Sequence, residues 1–514
     1  MAKTDVQGEF ASAIAKAYAF EGPVLELGRG VHDGAVVPEA VVRVPLSMVN
    51  RHGLIAGATG TGKTKTLQGL AEQLSAGGVP VFAADMKGDV SGLATAGDPE
   101  GPAAKRDAEL GIEYKPESFP VEFLSLGGIG PGVPVRATVS DFGPQLLAKV
   151  LSANETQEQS LSLVFRFADE EGLPLLDLSD LRALLQYLAS DQGKAELEGL
   201  GGVSKQTIGV LLRALAQLED GGGNEFFGEQ QLAIEDLLRQ ADDGRGIISC
   251  LELPAVQDKP ALFSTALMWL LAELFEELPE VGDQPTPKLV FFFDEAHLLF
   301  DGATDAFLDS VANTVRLIRS KGVGVFFVTQ TPKDVPAEVL GQLGNRIQHS
   351  LRAFTPDDAK ALKATVSTFP KSDFYDLEEL LTSMGIGEAA VTILSESGVP
   401  TPVVHTKLPA PRSRMAPSDD TDGAAKASPL WAKYGTRTDD QSAREMLAAR
   451  VEQPSPPPAS KSGRPPAPKR EHKEAADAAG GGMDAIGDFL NSRQGKTLER
   501  EVVRGVFGML KKHL

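Results

Sequence analysis

The stretch GATGTGKT, at residues 57–64, constrains the fold and the chemistry of this chain more than any other. It fits the pattern G-x-x-x-x-G-K-[ST], follows the apolar run Leu54–Ala56 and precedes residues that suit a helix. Glycines let the backbone curl so that consecutive N–H groups point at phosphate oxygens, and the helix adds its positive N-terminal end. A glycine-rich turn without a ligand is the alternative, and the strand and helix around the motif argue against it. The sequence therefore predicts a phosphate-binding loop.

The motif also assigns roles to its side chains. We expect Lys63 to reach the β- and γ-phosphates of ATP and the Thr64 hydroxyl to complete the shell of a Mg²⁺ ion. The residues expected to bind the nucleotide are Gly57, Ala58, Thr59, Gly60, Thr61, Gly62, Lys63, Thr64 and, one turn into the helix, Thr66.

A second motif, KLVFFFDEAHLLF at residues 288–300, places two carboxylates directly after an apolar strand. Buried charges are costly unless they are paired, and Mg²⁺ would supply the partner. We expect Asp294 to bind the ion or its water and Glu295 to polarise the water that attacks the γ-phosphate. For His297 the sequence supports two roles equally well: a sensor of the γ-phosphate, or a packed, hydrogen-bonded side chain.

Polar and cationic side chains further along the chain complete the predicted site. Gln330 ends the apolar strand VGVFFVT and is expected beside the γ-phosphate, with a solvated glutamine as the alternative. A positive charge for the transition state, beyond Lys63 and Mg²⁺, is still missing, and a neighbouring subunit commonly supplies it as an arginine. The candidates, each of which is by default a surface arginine, are Arg316, Arg319, Arg346 and Arg352.

Composition narrows the class of protein. With 514 residues and 42% hydrophobic residues the chain can build a large core. The single cysteine, Cys250, excludes a disulfide framework and a cysteine-based zinc site, and it suits a reducing compartment. A net charge of −21 argues against broad nonspecific binding of nucleic acid, although a narrow basic channel remains compatible with it. No apolar run is long enough to span a bilayer and the N-terminus lacks a basic signal region, so we predict a cytoplasmic protein without a membrane partner.

Strand and helix patterns alternate on both sides of a helical stretch, which predicts an α/β fold with a parallel sheet, interrupted by an all-helical insertion. Pro, Ser, Ala and charge dominate the sequence from Pro411, which predicts disorder, and a helical pattern returns at the end. The expected parts are an N-terminal helix and small β element (1–50), the first part of the core (51–139), the helical insertion (140–242), the second part of the core (243–410), a disordered linker (411–482) and a C-terminal helical segment (483–514).

Five stretches together, GATGTGKT, VPVFAADMKGDVSGL, KLVFFFDEAHLLF, RSKGVGVFFVTQTPKDVP and GNRIQHSLRAFTPDDAKAL, resemble the HerA/FtsK branch of P-loop ATPases, and the bacterial HerA-like proteins most of all. The resemblance covers about residues 20–410 and the C-terminal REVVRGVFGML. It implies a RecA-like core with an additional catalytic strand, a hexameric ring with ATP sites between subunits, and a central pore that pumps DNA. It also implies a metal-linked role for Asp294, a catalytic one for Glu295, a sensor role for Gln330 and a trans arginine finger at Arg346, with Arg352 as the fallback.

Two classes of function remain open from the sequence. The first is an ATP-driven DNA translocase or helicase, with segments such as Lys87–Gly92 facing the pore. The second is an oligomeric ATPase that acts on protein partners, or a nucleotide-gated scaffold, with the helical insertion and the C-terminal helix as binding surfaces. A GTPase is a weaker hypothesis, because the sequence has no N-K-x-D element to read guanine. A separate hypothesis concerns the C-terminal segment. The predicted linker before it is long enough to reach a neighbouring subunit, so that the segment would hold the ring closed.

Overall fold

The computed structural model describes residues 3–197, 201–300, 305–438 and 440–452. The contacts separate residues 1–450, as one compact unit, from residues 451–514. The expected C-terminal helical segment, and the expected linker beyond residue 452, lie outside the described residues.

One twelve-stranded sheet organises the first unit, in the order β2-β1-β12-β11-β10-β3-β9-β8-β4-β7-β5-β6. The strands are β1 (Val24–His32), β2 (Ala35–Pro45), β3 (Gly53–Ala56), β4 (Val81–Asp85), β5 (Val121–Leu126), β6 (Val133–Val135), β7 (Ile248–Glu252), β8 (Leu289–Phe293), β9 (Val323–Thr329), β10 (Asn345–His349), β11 (Glu388–Thr392) and β12 (Val404–Lys407). Every neighbouring pair from β10 to β6 is parallel, and every pair from β2 to β10 is antiparallel.

Helices connect the strands and pack against the sheet. They are α1 (Lys3–Ala17), α2 (Lys63–Ala76), α3 (Pro102–Glu109), α4 (Val139–Val150), α5 (Glu155–Glu170), α6 (Leu178–Ala189), α7 (Asp191–Leu197), α8 (Lys205–Asp220), α9 (Gly223–Phe226), α10 (Pro260–Glu277), α11 (His297–Phe300), α12 (Asp305–Ile318), α13 (Ala337–Leu340), α14 (Pro356–Ser367), α15 (Leu377–Ser383), α16 (Thr421–Ala427), α17 (Pro429–Tyr434) and α18 (Ala443–Glu452). None of these described helices is both long and apolar enough to cross a membrane.

The central strands are buried along their whole length, as their sequences require. In β8 (LVFFF) and β9 (VGVFFVT) every residue is buried. Parallel strands with helices on both faces have no solvent side, so they read as continuous apolar runs. Aromatic rings pair across the two strands, Phe292 with Phe326 at 5.3 Å and Phe293 with Phe327 at 5.6 Å between ring centroids. The expected α/β architecture with a parallel sheet is confirmed.

Helices α4 to α9 occupy the chain between β6 and β7, where the sequence predicted a helical insertion. Asn154 and Asp177 begin α5 and α6 with capping boxes, in which the side chain at the start of the helix and the side chain three residues later each accept a backbone N–H. The N-terminal hairpin of β1 and β2 is also present, but it joins the main sheet, because β1 pairs with β12. The boundaries of functional domains remain predictions.

The prediction of a disordered linker from Pro411 is wrong for the described residues 411–438 and 440–452. The buried carboxylate of Glu72 accepts hydrogen bonds from the backbone N–H groups of Arg412 (2.8 Å) and Ser413 (2.9 Å) and from the Ser413 hydroxyl (2.5 Å). Further on, the Tyr434 hydroxyl donates to Asp236 at 2.5 Å. Composition alone suggested disorder, because the partners that order this segment lie about two to three hundred residues earlier in the chain. We call residues 411–418 the strap.

Candidate active site

The predicted phosphate-binding loop follows β3 at the carboxyl edge of the parallel strands. Gly57, Gly60 and Gly62 have φ values of 154°, 83° and 111°, which L side chains rarely adopt. A Cβ at Gly57 would also overlap with the Cβ of His349. The glycines therefore allow both the curl of the loop and its close packing on β10.

Lys63 lies inside the loop rather than at its surface. Its ammonium donates to the carbonyl oxygens of Gly57 (2.7 Å) and Ala58 (3.2 Å). Burial lowers the pKa of this lysine, while the charge of Glu295 acts in the opposite direction. Helix α2 begins here behind Gly62, which offers no side-chain cap, so the first N–H groups of the helix are available to phosphate oxygens.

Thr66 points away from the loop opening. Its hydroxyl lies 2.9 Å from Nε2 of the buried His349 and donates to the Gly62 carbonyl at 3.3 Å. These contacts tie the Thr66 hydroxyl to Gly62 and His349, and its predicted contact with a nucleotide stays a prediction. Thr64, half-buried at the first turn of α2, keeps the position expected of an Mg²⁺ ligand.

Asp294 and Glu295 follow β8 and are both buried. Burial raises the pKa of Asp294 to about 7, and the charges of Glu295 and Asp85 add to the effect. Its Oδ2 has no hydrogen-bond partner among the described residues. An isolated buried carboxylate oxygen beside a phosphate loop fits a divalent cation, so Asp294 and the Thr64 hydroxyl are the residues that would hold Mg²⁺.

Glu295 has an unusual backbone conformation, and two neighbours contact its carboxylate. Its φ is 49°, in the left-handed region. Its Oε1 forms an ion pair with the Lys87 ammonium, and its Oε2 lies 3.2 Å from Nδ1 of His297. Burial raises the pKa of Glu295, but the hydrogen bond and charge of Lys87, with the charges of His297 and Lys63, outweigh burial, and the pKa falls below its usual range. His297 is thus a neighbour of the predicted catalytic carboxylate.

Lys87 belongs to this site, although the sequence pattern suggested a pore-facing segment. Asp85, the last residue of β4, accepts hydrogen bonds from the backbone N–H groups of Lys87 (3.1 Å), Gly88 (2.8 Å) and Val90 (2.7 Å). Val90 and Ser91 are 0% and 1% exposed. Lys87 itself is exposed and Asp89 is half-buried, so the pore-facing role of Lys87–Gly92 stays a prediction.

The strap packs against Ser91 and Gly92, in the segment that follows β4. Ser418 donates its N–H to the Ser91 hydroxyl at 2.9 Å, and a Cβ at Gly92 would overlap with the Arg414 carbonyl. One sign of this role was present in the sequence, a lysine two residues after a buried strand in VFAADMK. Only the pairing of β4 with β8 shows that this strand end lies beside Glu295.

Gln330 lies where the sequence predicted the sensor. It follows β9, which runs between β3 and β8, so its strand separates the phosphate loop from the carboxylates. Its exposed side chain lines a cavity of about 230 Å³ together with Ala58, Thr59 and Arg352. The expectation of an additional strand between the two motif strands is therefore confirmed.

Comparison with known proteins agrees with this geometry. Residues 33–513 match the family described as "Helicase HerA-like C-terminal". The chain belongs to this HerA-like family. No curated protein matches it.

Among solved structures, the HerA-like chain is similar to the bacterial conjugative coupling protein TrwB in its unbound form, with 15% identity, a TM-score of 0.50, and coverage of 79% of this chain and 94% of TrwB. TrwB with the non-hydrolysable ATP analogue ADPNP gives 16% identity, a TM-score of 0.50, and coverage of 77% and 98%. VirB4 of Thermoanaerobacter pseudethanolicus gives 17% identity, a TM-score of 0.45, and coverage of 76% and 97%. At these identities the likeness to TrwB shows the fold, which is that of RecA-like P-loop ATPases.

The arginine candidates of the HerA-like chain separate into two groups. The exposed Arg352 donates to the Thr59 carbonyl of its own loop at 3.4 Å. Arg346 lies near the amino end of β10. This strand runs parallel to β3, with Arg346 beside Leu54, so Arg346 is at the edge of the sheet opposite the phosphate loop, which follows the carboxyl end of β3. Its guanidinium donates to the Thr368 hydroxyl at 2.6 Å. Arg346 is therefore not a ligand of the nucleotide loop in its own chain.

Proposed function

We propose that this HerA-like chain is an ATP-hydrolysing, ring-forming motor that translocates or unwinds DNA. The observation that carries the proposal is the order of three neighbouring strand ends, which bring together the Lys63 loop, Gln330 and the Asp294–Glu295 pair. Each group has a separate task in phosphoryl transfer, and a structural sheet has no need of all three. Membership of a helicase-like family and the likeness to TrwB, a conjugative coupling protein, favour DNA as the substrate.

The geometry supports a separate task for each group. The loop N–H groups and Lys63 bind the β- and γ-phosphates of ATP, and Lys63 exchanges its present carbonyl partners for phosphate oxygens. Thr64 and Asp294 would hold Mg²⁺, which would neutralise charge on the phosphates. Glu295 accepts a hydrogen bond from the attacking water and orients it. Gln330, on the strand between, reports whether the γ-phosphate is present.

A neighbouring subunit would complete the site with Arg346. Arg51, Arg316, Arg319 and Arg346 line one cavity of about 390 Å³ at the edge opposite the loop. The exposed Asp283 reaches two of these arginines, at 3.3 Å from Arg51 and 3.5 Å from Arg319. Such an excess of positive charge in an acidic chain suits an anion brought by another molecule. A closed ring, hexameric by family resemblance, would present this face to the ATP of the next copy.

The rate of ATP hydrolysis, measured with and without single- and double-stranded DNA, tests the proposal. Low and moderate salt should be compared, with Glu295→Gln as the blank. A DNA motor is expected to be stimulated severalfold, and the stimulation should fall with salt because phosphate contacts release counterions. A rate that DNA does not change at either salt would contradict DNA translocation.

The competing function is an ATPase that acts on protein or serves as a nucleotide-gated scaffold. The net charge of −21 favours it, since an acidic surface offers DNA no obvious track. A DNA-indifferent ATPase rate would support this alternative and direct the search to partners of the helical insertion.

A further inference from the structure

The ion pair between Lys87 and Glu295 joins an exposed side chain to a buried one. The Glu295 side chain is 7% exposed, while that of Lys87 is 43% exposed. The carboxylate is thus fixed by its surroundings, and the lysine reaches it from a more open position.

The backbone of Lys87 is held firmly beside the active site. β4 pairs with β8 in register, Ala84 beside Phe293, and the Asp294 N–H donates to the Ala84 carbonyl at 3.2 Å. Asp85 fixes the turn after β4 through three backbone N–H groups. The Lys87 Cα therefore stays next to the two catalytic carboxylates, and only its flexible four-carbon stem can move.

The place of the γ-phosphate is marked by Lys63. Among the charges that act on the Lys63 ammonium, Glu295 is the strongest and Lys87 the next. The three charged groups therefore lie near enough to interact, around the volume at the end of the loop where the terminal phosphate of ATP binds. A γ-phosphate entering this volume carries more negative charge than a carboxylate, so it competes with Glu295 for the Lys87 ammonium.

We propose that Lys87 is a second lysine of the nucleotide site, which pairs with Glu295 before ATP binds and moves to the γ-phosphate once ATP occupies the loop. This inference rests on the proposed ATPase function. The exchange has two effects. It supplies a positive charge for the transition state from within the chain, where the sequence pointed to arginines, and it frees the Glu295 carboxylate to accept a hydrogen bond from water.

The hydrolytic step then balances without another reactant. The water oxygen forms a bond to the γ-phosphorus, and the bond from that phosphorus to the β–γ bridging oxygen breaks. ADP leaves with the bridging oxygen and its electron pair. Glu295 accepts the proton of the water and later releases it to solvent, while Lys87 faces the charge that develops on the γ-phosphoryl oxygens.

The test compares ATP with ADP, because only ATP carries the group that Lys87 would contact. The variants are Lys87→Met, which keeps the length of the side chain and removes its charge, and Lys87→Arg, which restores a charge. The matched control is Lys426→Met, an exposed lysine that is also paired with a carboxylate, Asp422, but lies on α16. Affinities are measured for ADP and for a non-hydrolysable ATP analogue, together with kcat and KM for ATP and the thermal midpoint.

Lys87→Met is expected to weaken binding of the ATP analogue about tenfold, to change ADP binding less than about twofold, and to lower kcat about a hundredfold. Lys87→Arg should recover part of the preference for the ATP analogue, and Lys426→Met should match the wild type. Equal losses for ADP and the ATP analogue, with a lower thermal midpoint, would show a purely structural lysine and overturn the inference. Wild-type values in Lys87→Met would overturn it while leaving the ATPase intact. A wild-type chain that binds neither nucleotide would overturn the proposed function as well.

Discussion

Two buried histidines lie at the two ends of the strands that carry the site. His349 ends β10 behind the phosphate loop, and burial with the nearby charge of Lys63 lowers its pKa to about 3. His52 precedes β3 and accepts the Val325 N–H at 3.1 Å, and its burial lowers its pKa to about 4. Both are therefore neutral in the folded chain at neutral pH.

These histidines make stability depend on pH. Below about pH 6.5 the unfolded chain binds protons at both histidines while the folded chain does not, so the contribution of each histidine to the free energy of unfolding falls as pH falls toward 4. Between pH 7 and pH 5 we expect a loss of about 2 kcal/mol for each histidine, measured by urea unfolding. His52→Gln, whose amide oxygen can still accept the Val325 N–H, should reduce this pH dependence. Protonation of the buried Asp294 acts in the opposite direction over the same pH range, so the test is the difference between variant and wild type, and the same pH dependence in both would contradict the prediction.

Glu295 gives a prediction about catalysis. Glu295→Gln keeps the shape of the side chain but removes the carboxylate that orients water, so ATP should still bind while turnover falls by about 10²–10³-fold. Lys63→Ala should instead weaken nucleotide binding itself. Filter binding and steady-state hydrolysis separate the two effects, and full activity in Glu295→Gln would remove this residue from the mechanism.

At the scale of elements, the strands of the site were predictable because each has a local cause. β3, β8 and β9 are apolar runs followed directly by the loop glycines, the two carboxylates and Gln330. The strap was not predictable, because its partners are distant in the sequence, and one of them, Glu72 in the middle of α2, has no local sign of a partner. Of the contacts that hold the strap, the buried Glu72 carboxylate accepts three hydrogen bonds and can be removed by one substitution.

Glu72→Ala should release the strap from α2. It leaves the N–H groups of Arg412 and Ser413 without their buried acceptor, so we expect a loss of about 2–3 kcal/mol in the free energy of unfolding. Protease cleavage within residues 411–418 should become faster. The exposed Glu235 provides the matched control, and Glu235→Ala should change both quantities little. Unchanged cleavage in Glu72→Ala would mean that other contacts hold the strap.

At the scale of the whole molecule, the two edges of the sheet carry complementary chemistry. The carboxyl edge has the phosphate loop, and the opposite edge has the cavity lined by Arg51, Arg316, Arg319 and Arg346. A chain built in this way offers an anion site at one edge and cations at the other, which suits head-to-tail assembly.

Mixing inactive variants tests that assembly. Arg346→Ala and Glu295→Gln chains should each be inactive alone, but a mixture should regain activity, because some sites combine an intact Glu295 with an intact Arg346 from the next chain. At equal amounts about a quarter of the sites are of this kind, if chains mix at random. A mixture as inactive as its parts would assign Arg346 a role within its own chain or in the fold.

The sequence by itself determined the phosphate loop, the carboxylate pair, the sensor strand and the α/β class, since each is written in consecutive residues whose backbone or burial requirements are local. The tertiary structure alone decided which distant groups meet. Lys87 pairs with Glu295 across 208 residues, and the strap binds Glu72 across more than three hundred. Arg346 and Arg352, six residues apart, lie at different edges because β10 runs between them. The pairing of β4 with β8 sets the contact of Lys87, and the path of the chain after β12 sets that of the strap; the sequence carries no local mark of either.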